Sequence, residues 1–155
     1  MEKYAVCFFG HRDVNIKIRP ALYAEIERHI TQHKITTFYV GNHGNFDCMS
    51  VGILNELKRK YAHIEIVLVC AYLTTKKKTK YEMNLYDSTL YPEGLEDVPQ
   101  RFAITYRNRW MVEQSDCLIA YVRTSYGGAY TALQYAKRKN KRVTNLADII
   151  IYESL

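Results

Sequence analysis

Four short, almost wholly apolar runs recur along this chain of 155 residues, and each ends abruptly in polar or glycine-bearing residues. They are Tyr4–Phe9 (YAVCFF), Ile35–Val40 (ITTFYV), Ile64–Ala71 (IEIVLVCA) and Cys117–Val122 (CLIAYV). Runs of this length, rich in β-branched and aromatic residues, read as strands, most of them buried on both faces. Segments with helical periodicity separate them. Leu22, Ile26 and Ile30 share one face over Ala21–His33, and Pro20 is well placed in that helix's first turn. Val51, Ile53, Leu54 and Leu57 do the same over Met49–Tyr61, and Trp110 and Met111 over Tyr106–Gln114. Ser115-Asp116 breaks that last helix before the fourth run, and Gly127-Gly128 opens another over Ala129–Arg138. Arg142–Leu146 reads as a fifth core strand. The irregular stretch Tyr72–Gln100 carries a short extra strand near Asp87–Tyr91, and Ile149–Tyr152 adds a further one.

Strands alternating with helices require right-handed crossovers and a parallel sheet covered on both faces. The predicted class is therefore α/β, a Rossmann-like three-layer fold with a mostly parallel sheet and helices on both faces, one domain over residues 1–155. In such sheets ligands bind outside the carboxyl ends of the strands, at the topological switch point. Three polar or glycine-rich turns fall at those ends: Gly10–Asp13, Gly41–Asp47 and Arg123–Gly128. Their convergence on one rim is harder to ascribe to chance than any one turn.

Composition narrows the classes. No apolar run approaches the length of a membrane span, so no membrane partner is expected. Met1-Glu2-Lys3 leads straight into the first run with no signal peptide, which predicts a cytoplasmic protein. Cys7, Cys70 and Cys117 lie inside strand-like runs and Cys48 stands alone. That pattern gives neither a disulfide framework nor zinc-ligand spacing, so no metal and no cofactor are implied. The net charge of +6 comes from two clusters, Lys76, Lys77, Lys78 and Lys80, and Lys137, Arg138, Lys139, Lys141 and Arg142. Without them acidic residues outnumber basic ones, and the second cluster complements the end of a helix. Basic residues are not clearly interleaved with aromatics along one face, which argues against a nucleic-acid partner.

The rim instead offers donors for a small anion. Gly10, His11 and Arg12 come from the first turn, and Gly41, Asn42, Gly44 and Asp47 from the second. Arg107 and Asn108 come from the helix before the fourth run, and Ser125, Gly127, Gly128 and Thr131 follow that run. Guanidinium groups and glycine-opened helix N-termini suit phosphate, Asp47 suits ribose hydroxyls or a helix cap, and His11 suits a general base or a phosphate ligand. The chain has no G-x-G-x-x-G in its first turn, no Walker loop and no G-x-S-x-G elbow.

These segments together, FFGHRD (Phe8–Asp13), GNHGNFD (Gly41–Asp47), YRNRWMVEQSDCLIAYV (Tyr106–Val122) and YGGAYTALQYA (Tyr126–Ala136), resemble the SLOG superfamily. The likeness runs over nearly the full chain and is greatest to the short stand-alone YpsA-like group of bacteria and their phages. The superfamily also includes the Lonely Guy (LOG) phosphoribohydrolases and the DNA-processing protein A domain. The resemblance implies a Rossmann-like fold that binds nucleotides or nucleotide-derived signals such as ADP-ribose, and self-association into a dimer or larger oligomer.

Against the LOG pattern, Arg107 matches an arginine nine residues before an aspartate, here Asp116, and Met111 a methionine of the same helix. Gly127, Gly128 and Thr131 match its P-G-G-x-G-T-x-x-E. Tyr126 replaces the proline, Tyr130 the third glycine and Gln134 the catalytic glutamate. A glutamine cannot act as a carboxylate base or stabilise an oxocarbenium-like transition state by charge. The leading expectation is therefore a protein that senses or sequesters a nucleotide or ADP-ribose-like molecule, as in phage defence or anti-defence. An N-glycosidase acting on nucleotide derivatives is the alternative, and a protein- or DNA-interaction module with a vestigial pocket a further one.

Overall fold

The computed structural model describes residues 4–72 and 80–150. The elements run β1 (Tyr4–Gly10), α1 (Arg19–Thr31), β2 (Ile35–Val40), α2 (Asn45–Lys58), β3 (Glu65–Val69), α3 (Lys80–Asn84) and β4 (Ser88–Leu90), then α4 (Ala103–Gln114), β5 (Cys117–Tyr121), α5 (Gly128–Arg138), β6 (Arg142–Asn145) and α6 (Leu146–Ile150). The six strands form one sheet in the order β4-β3-β2-β1-β5-β6, and every pairing is parallel. The fold class read from the sequence is the one observed.

Because successive side chains of a strand point to opposite faces, each apolar run feeds two cores. Val6 and Phe8 of β1 face the layer of α1 and α2, packing with Leu22, Ile26, Ile53, Leu54 and Leu57. Cys7 and Phe9 face the layer of α4 and α5, with Met111, Val112, Leu133 and Ala136. Leu54 is wholly buried, so truncation to alanine there costs about 2–5 kcal/mol through lost transfer energy and a cavity.

Chain order carries β2, β3 and β4 outward on one side of β1 and returns to place β5 and β6 on the other. The reversal falls between β1 and β5, the position where an open parallel sheet leaves a crevice at its carboxyl edge.

The stretch read as irregular does hold the extra strand, at β4, together with the five-residue α3. Residues 146–150 are helical rather than extended. Asn145 explains the difference: its Oδ1 accepts the Ala147 amide at 3.2 Å, turning the chain directly into α6. Tyr152 and the lysines at 76–78 lie outside the described residues.

Candidate functional site

Two helices open onto the carboxyl rim by the same device. Gly44 precedes α2 with φ 91° and ψ 173°, and Gly127 precedes α5 with φ 95° and ψ 172°. That backbone region is essentially restricted to glycine. Neither helix receives a side-chain cap, so the amides of their first turns depend on other partners. The two glycines differ in their surroundings. A Cβ on Gly44 would lie 2.7 Å from the Arg12 Cα, whereas one on Gly127 or Gly128 would meet nothing within 4 Å. Close packing of the first turn explains Gly44. At Gly128 no neighbouring protein atom requires a glycine, and the vacant space belongs to the cleft.

The cleft has a volume of about 310 Å³ and lies over the ends of β1 and β2, between the starts of α2 and α5. Arg107 and Asp47 line it and are only 4% and 8% exposed. Arg107 is anchored from α4: Nε donates to Asn108 Oδ1 at 3.0 Å and Nη1 to the Val69 carbonyl at 3.1 Å. Its Nη2 finds no acceptor among the described residues. Asp47 Oδ2 accepts the His43 amide at 2.9 Å, which closes the turn ahead of α2 rather than capping the helix. Asp47 Oδ1 has no partner among the described residues.

These two charges do not neutralise each other through a salt bridge. Burial raises the Asp47 carboxyl to about 6, against the lowering effects of the His43 amide and Arg107. Burial also lowers Arg107, with Asp47 opposing. Desolvation thus outweighs their attraction in both groups. The guanidinium stays charged, leaving a fixed buried cation beside a tunable carboxyl. Gly41 sits between them: a Cβ there would lie 2.9 Å from Asp47 Oδ2 and 3.0 Å from Arg107 Nη1.

The other sequence-predicted residues have varied positions. Gly10 lines the cleft but is held glycine by packing, since a Cβ would overlap the Phe46 ring at 2.2 Å. His11 lines the cleft and its Nε2 accepts the Arg123 amide at 2.8 Å, joining the loops after β1 and β5. Burial, then Arg123, lowers its pKa, so it is a neutral brace. Arg12 is an exposed wall residue, and its carbonyl accepts the Asn45 amide at 2.8 Å. Asn108 is a wall residue as well as the Arg107 anchor.

Asn42 and Ser125 are exposed on the adjoining turns and, like Gly44, do not line the cleft. Thr131 bonds the Gly127 carbonyl at 2.9 Å and faces a neighbouring groove. Gln134 is not among the lining residues. Sequence reasoning missed His43, Ile104 and Ala129 as cleft residues; His43 sits one position beyond the chosen Asn42 in the same turn. It also missed Asn45, whose side chain clamps both backbone polar groups of Val14, at 2.7 and 3.0 Å.

No protein-family model matches this chain, and no curated protein matches it. Solved structures do. DNA processing protein A from Helicobacter pylori, described for its unique single-stranded DNA binding mode, aligns with a TM-score of 0.63 at 11% identity, covering 97% of this chain and 73% of its own. DprA from Streptococcus pneumoniae aligns with a TM-score of 0.57 at 11% identity, over 97% of this chain and 62% of its own. At this identity the likeness establishes the Rossmann-like fold. It also corrects the expectation that argued against nucleic acid: this fold, over nearly the whole chain, is shared with DNA-processing proteins, one of them described with single-stranded DNA. A net charge averages over faces and does not show which cations are left unpaired at one surface.

Among the described residues no helix is long and apolar enough to cross a membrane, and no cluster of metal-ligating side chains occurs.

Proposed function

We propose that this chain binds single-stranded nucleic acid, holding one nucleotide unit in the cleft at the carboxyl rim of the sheet. The observation that carries the proposal is the buried Arg107, whose Nη2 is uncommitted among the described residues, facing a cleft walled by the uncapped start of α5. A phosphate there accepts backbone amides at Gly128 and Ala129, gains from the helix dipole and takes a charge-assisted bond from the guanidinium. Tyr126 is 75% exposed at the mouth and offers a ring for a base to stack on. The fold shared with DNA processing protein A supports the same reading.

The test is fluorescence anisotropy with a labelled oligothymidylate of about twenty nucleotides. Affinity should weaken steeply with salt, and Arg107→Met should reduce it at least ten-fold while leaving the melting curve cooperative. A chain that leaves the oligomer unbound at low salt overturns the proposal.

A second reading, a free nucleotide-derived molecule, is favoured by Asp47 Oδ1. A carboxylate oxygen without a protein partner among the described residues suits sugar hydroxyls, which internal DNA nucleotides lack. Competition by ADP-ribose against the labelled oligomer distinguishes the two: tight displacement favours the small molecule, and absence of displacement favours the strand. Hydrolysis of that ligand is not part of the reading, because glutamine stands at 134.

A further inference from the structure

The distribution of unpaired cations between the two helical layers is unequal. Every ion pair between described residues involves α1, α2 or the segments beside them: Arg19–Glu56, Arg28–Glu25, Lys58–Asp87 and Lys60–Glu27. No cation of α4 or α5 is in one. Arg107 of that layer is buried, whereas Arg109, Lys137 and Arg138 are exposed and have no carboxylate within ion-pair distance among the described residues.

These cations border a groove. Between α4 and α5 lies a groove of about 280 Å³ that shares Ile104, Asn108 and Gly128 as walls with the cleft, so the two adjoin. Its far end is built around Tyr135. The Arg109 guanidinium lies 5.4 Å from that ring's centroid and the Arg138 guanidinium 5.7 Å. Lys139 Nζ approaches it at 5.5 Å. The Tyr135 hydroxyl donates to Glu113, which fixes the ring. Cation–π contact with one ring restrains both guanidiniums, so less side-chain entropy is lost when they meet a ligand. From Gly128 to Arg138 the helix advances about 15 Å, longer than one nucleotide.

We propose that this groove is the continuation of the binding track. It takes the phosphodiester backbone of the nucleotides next to the one in the cleft, with Arg109 and Arg138 as a phosphate clamp. The occupant is a single strand: the groove is a narrow extension of a cleft sized for one nucleotide, and its charge is complementary to a backbone. This inference rests on the nucleic-acid reading above and adds the direction in which the strand leaves the cleft.

The experiment compares labelled oligothymidylates of two and twelve nucleotides, on the wild type and on the double variant Arg109→Gln, Arg138→Gln; the shorter probe falls short of the clamp. The wild type should bind the twelve-mer at least ten-fold more tightly than the dinucleotide. The double variant should bind the dinucleotide as the wild type does, lose most of the gain on the twelve-mer, and show a salt slope on the twelve-mer shallower by about 1.4, the release from two phosphate contacts. A double variant that keeps both the gain and the slope overturns the groove while the cleft stands, as does a wild type whose affinity does not grow with length. A wild type that binds neither oligomer overturns the nucleic-acid reading and the groove with it.

Discussion

Asp47 gives the most direct check on the electrostatics of the cleft. The carboxyl is 8% exposed, and burial lifts its pKa from an ordinary 3.8 to about 6. Because folding raises this pKa, the native state holds more protons than the unfolded chain between about pH 4 and 6. The native state is therefore favoured by the neutral carboxyl at low pH and penalised progressively as pH rises through that window. A shift of this size corresponds to about 3 kcal/mol lost by pH 7. Asp47→Asn removes the titration while keeping an oxygen to accept the His43 amide. Urea unfolding of both proteins at intervals from pH 4 to 8 isolates the effect, since the other titrating groups cancel in the difference. The difference in unfolding free energy should move toward the variant by about 2.4 kcal/mol across that range, most of it below pH 6.5. A difference that stays flat with pH would refute the claim that desolvation outweighs the attraction of Arg107.

Protonation of the same carboxyl removes a negative charge beside Arg107, so oligonucleotide affinity should rise several-fold as pH falls from 7.5 to 5.5, and Asp47→Asn should abolish that rise; anisotropy at constant ionic strength reads both. Gly128 has an ordinary backbone and open space where a Cβ would stand, so Gly128→Ala should stabilise the fold by about 0.5 kcal/mol, measured by urea unfolding, while weakening ligand binding. Gly41→Ala should instead destabilise the fold, shifting Asp47 and Arg107 and lowering both melting temperature and affinity. Cys48 is exposed, whereas Cys7 is fully buried and burial pushes its thiol up to about 12; maleimide should label Cys48 in the native protein and Cys7 only on unfolding, as mass spectrometry of peptides would show.

The candidate site was partly legible because glycines and charged residues at strand ends are local signals. Gly41, Asp47, Arg107 and Gly128 were chosen for their types and places, and all four line the cleft. Asn42, Gly44, Ser125 and Thr131 were chosen on the same grounds and do not. Neighbouring residues of a turn point in different directions, and only the fixed backbone selects among them. His11 shows another limit: its loop position suggested chemistry, but the bond from the Arg123 amide, 112 positions away, makes it a brace.

Sequence periodicity alone determined the strand–helix alternation and with it the parallel sheet, because burial on two faces demands continuous apolar runs and a stripe on each covering helix. The order β4-β3-β2-β1-β5-β6, and hence the reversal beside β1, depends on pairings between distant segments. So does the state of the charges. Asp47 and Arg107 lie far apart in the chain, and only packing buries both without joining them in a salt bridge. The arginines around Tyr135 follow the same logic: composition counts cations, but the tertiary structure decides which of them lie against carboxylates and which against a ring.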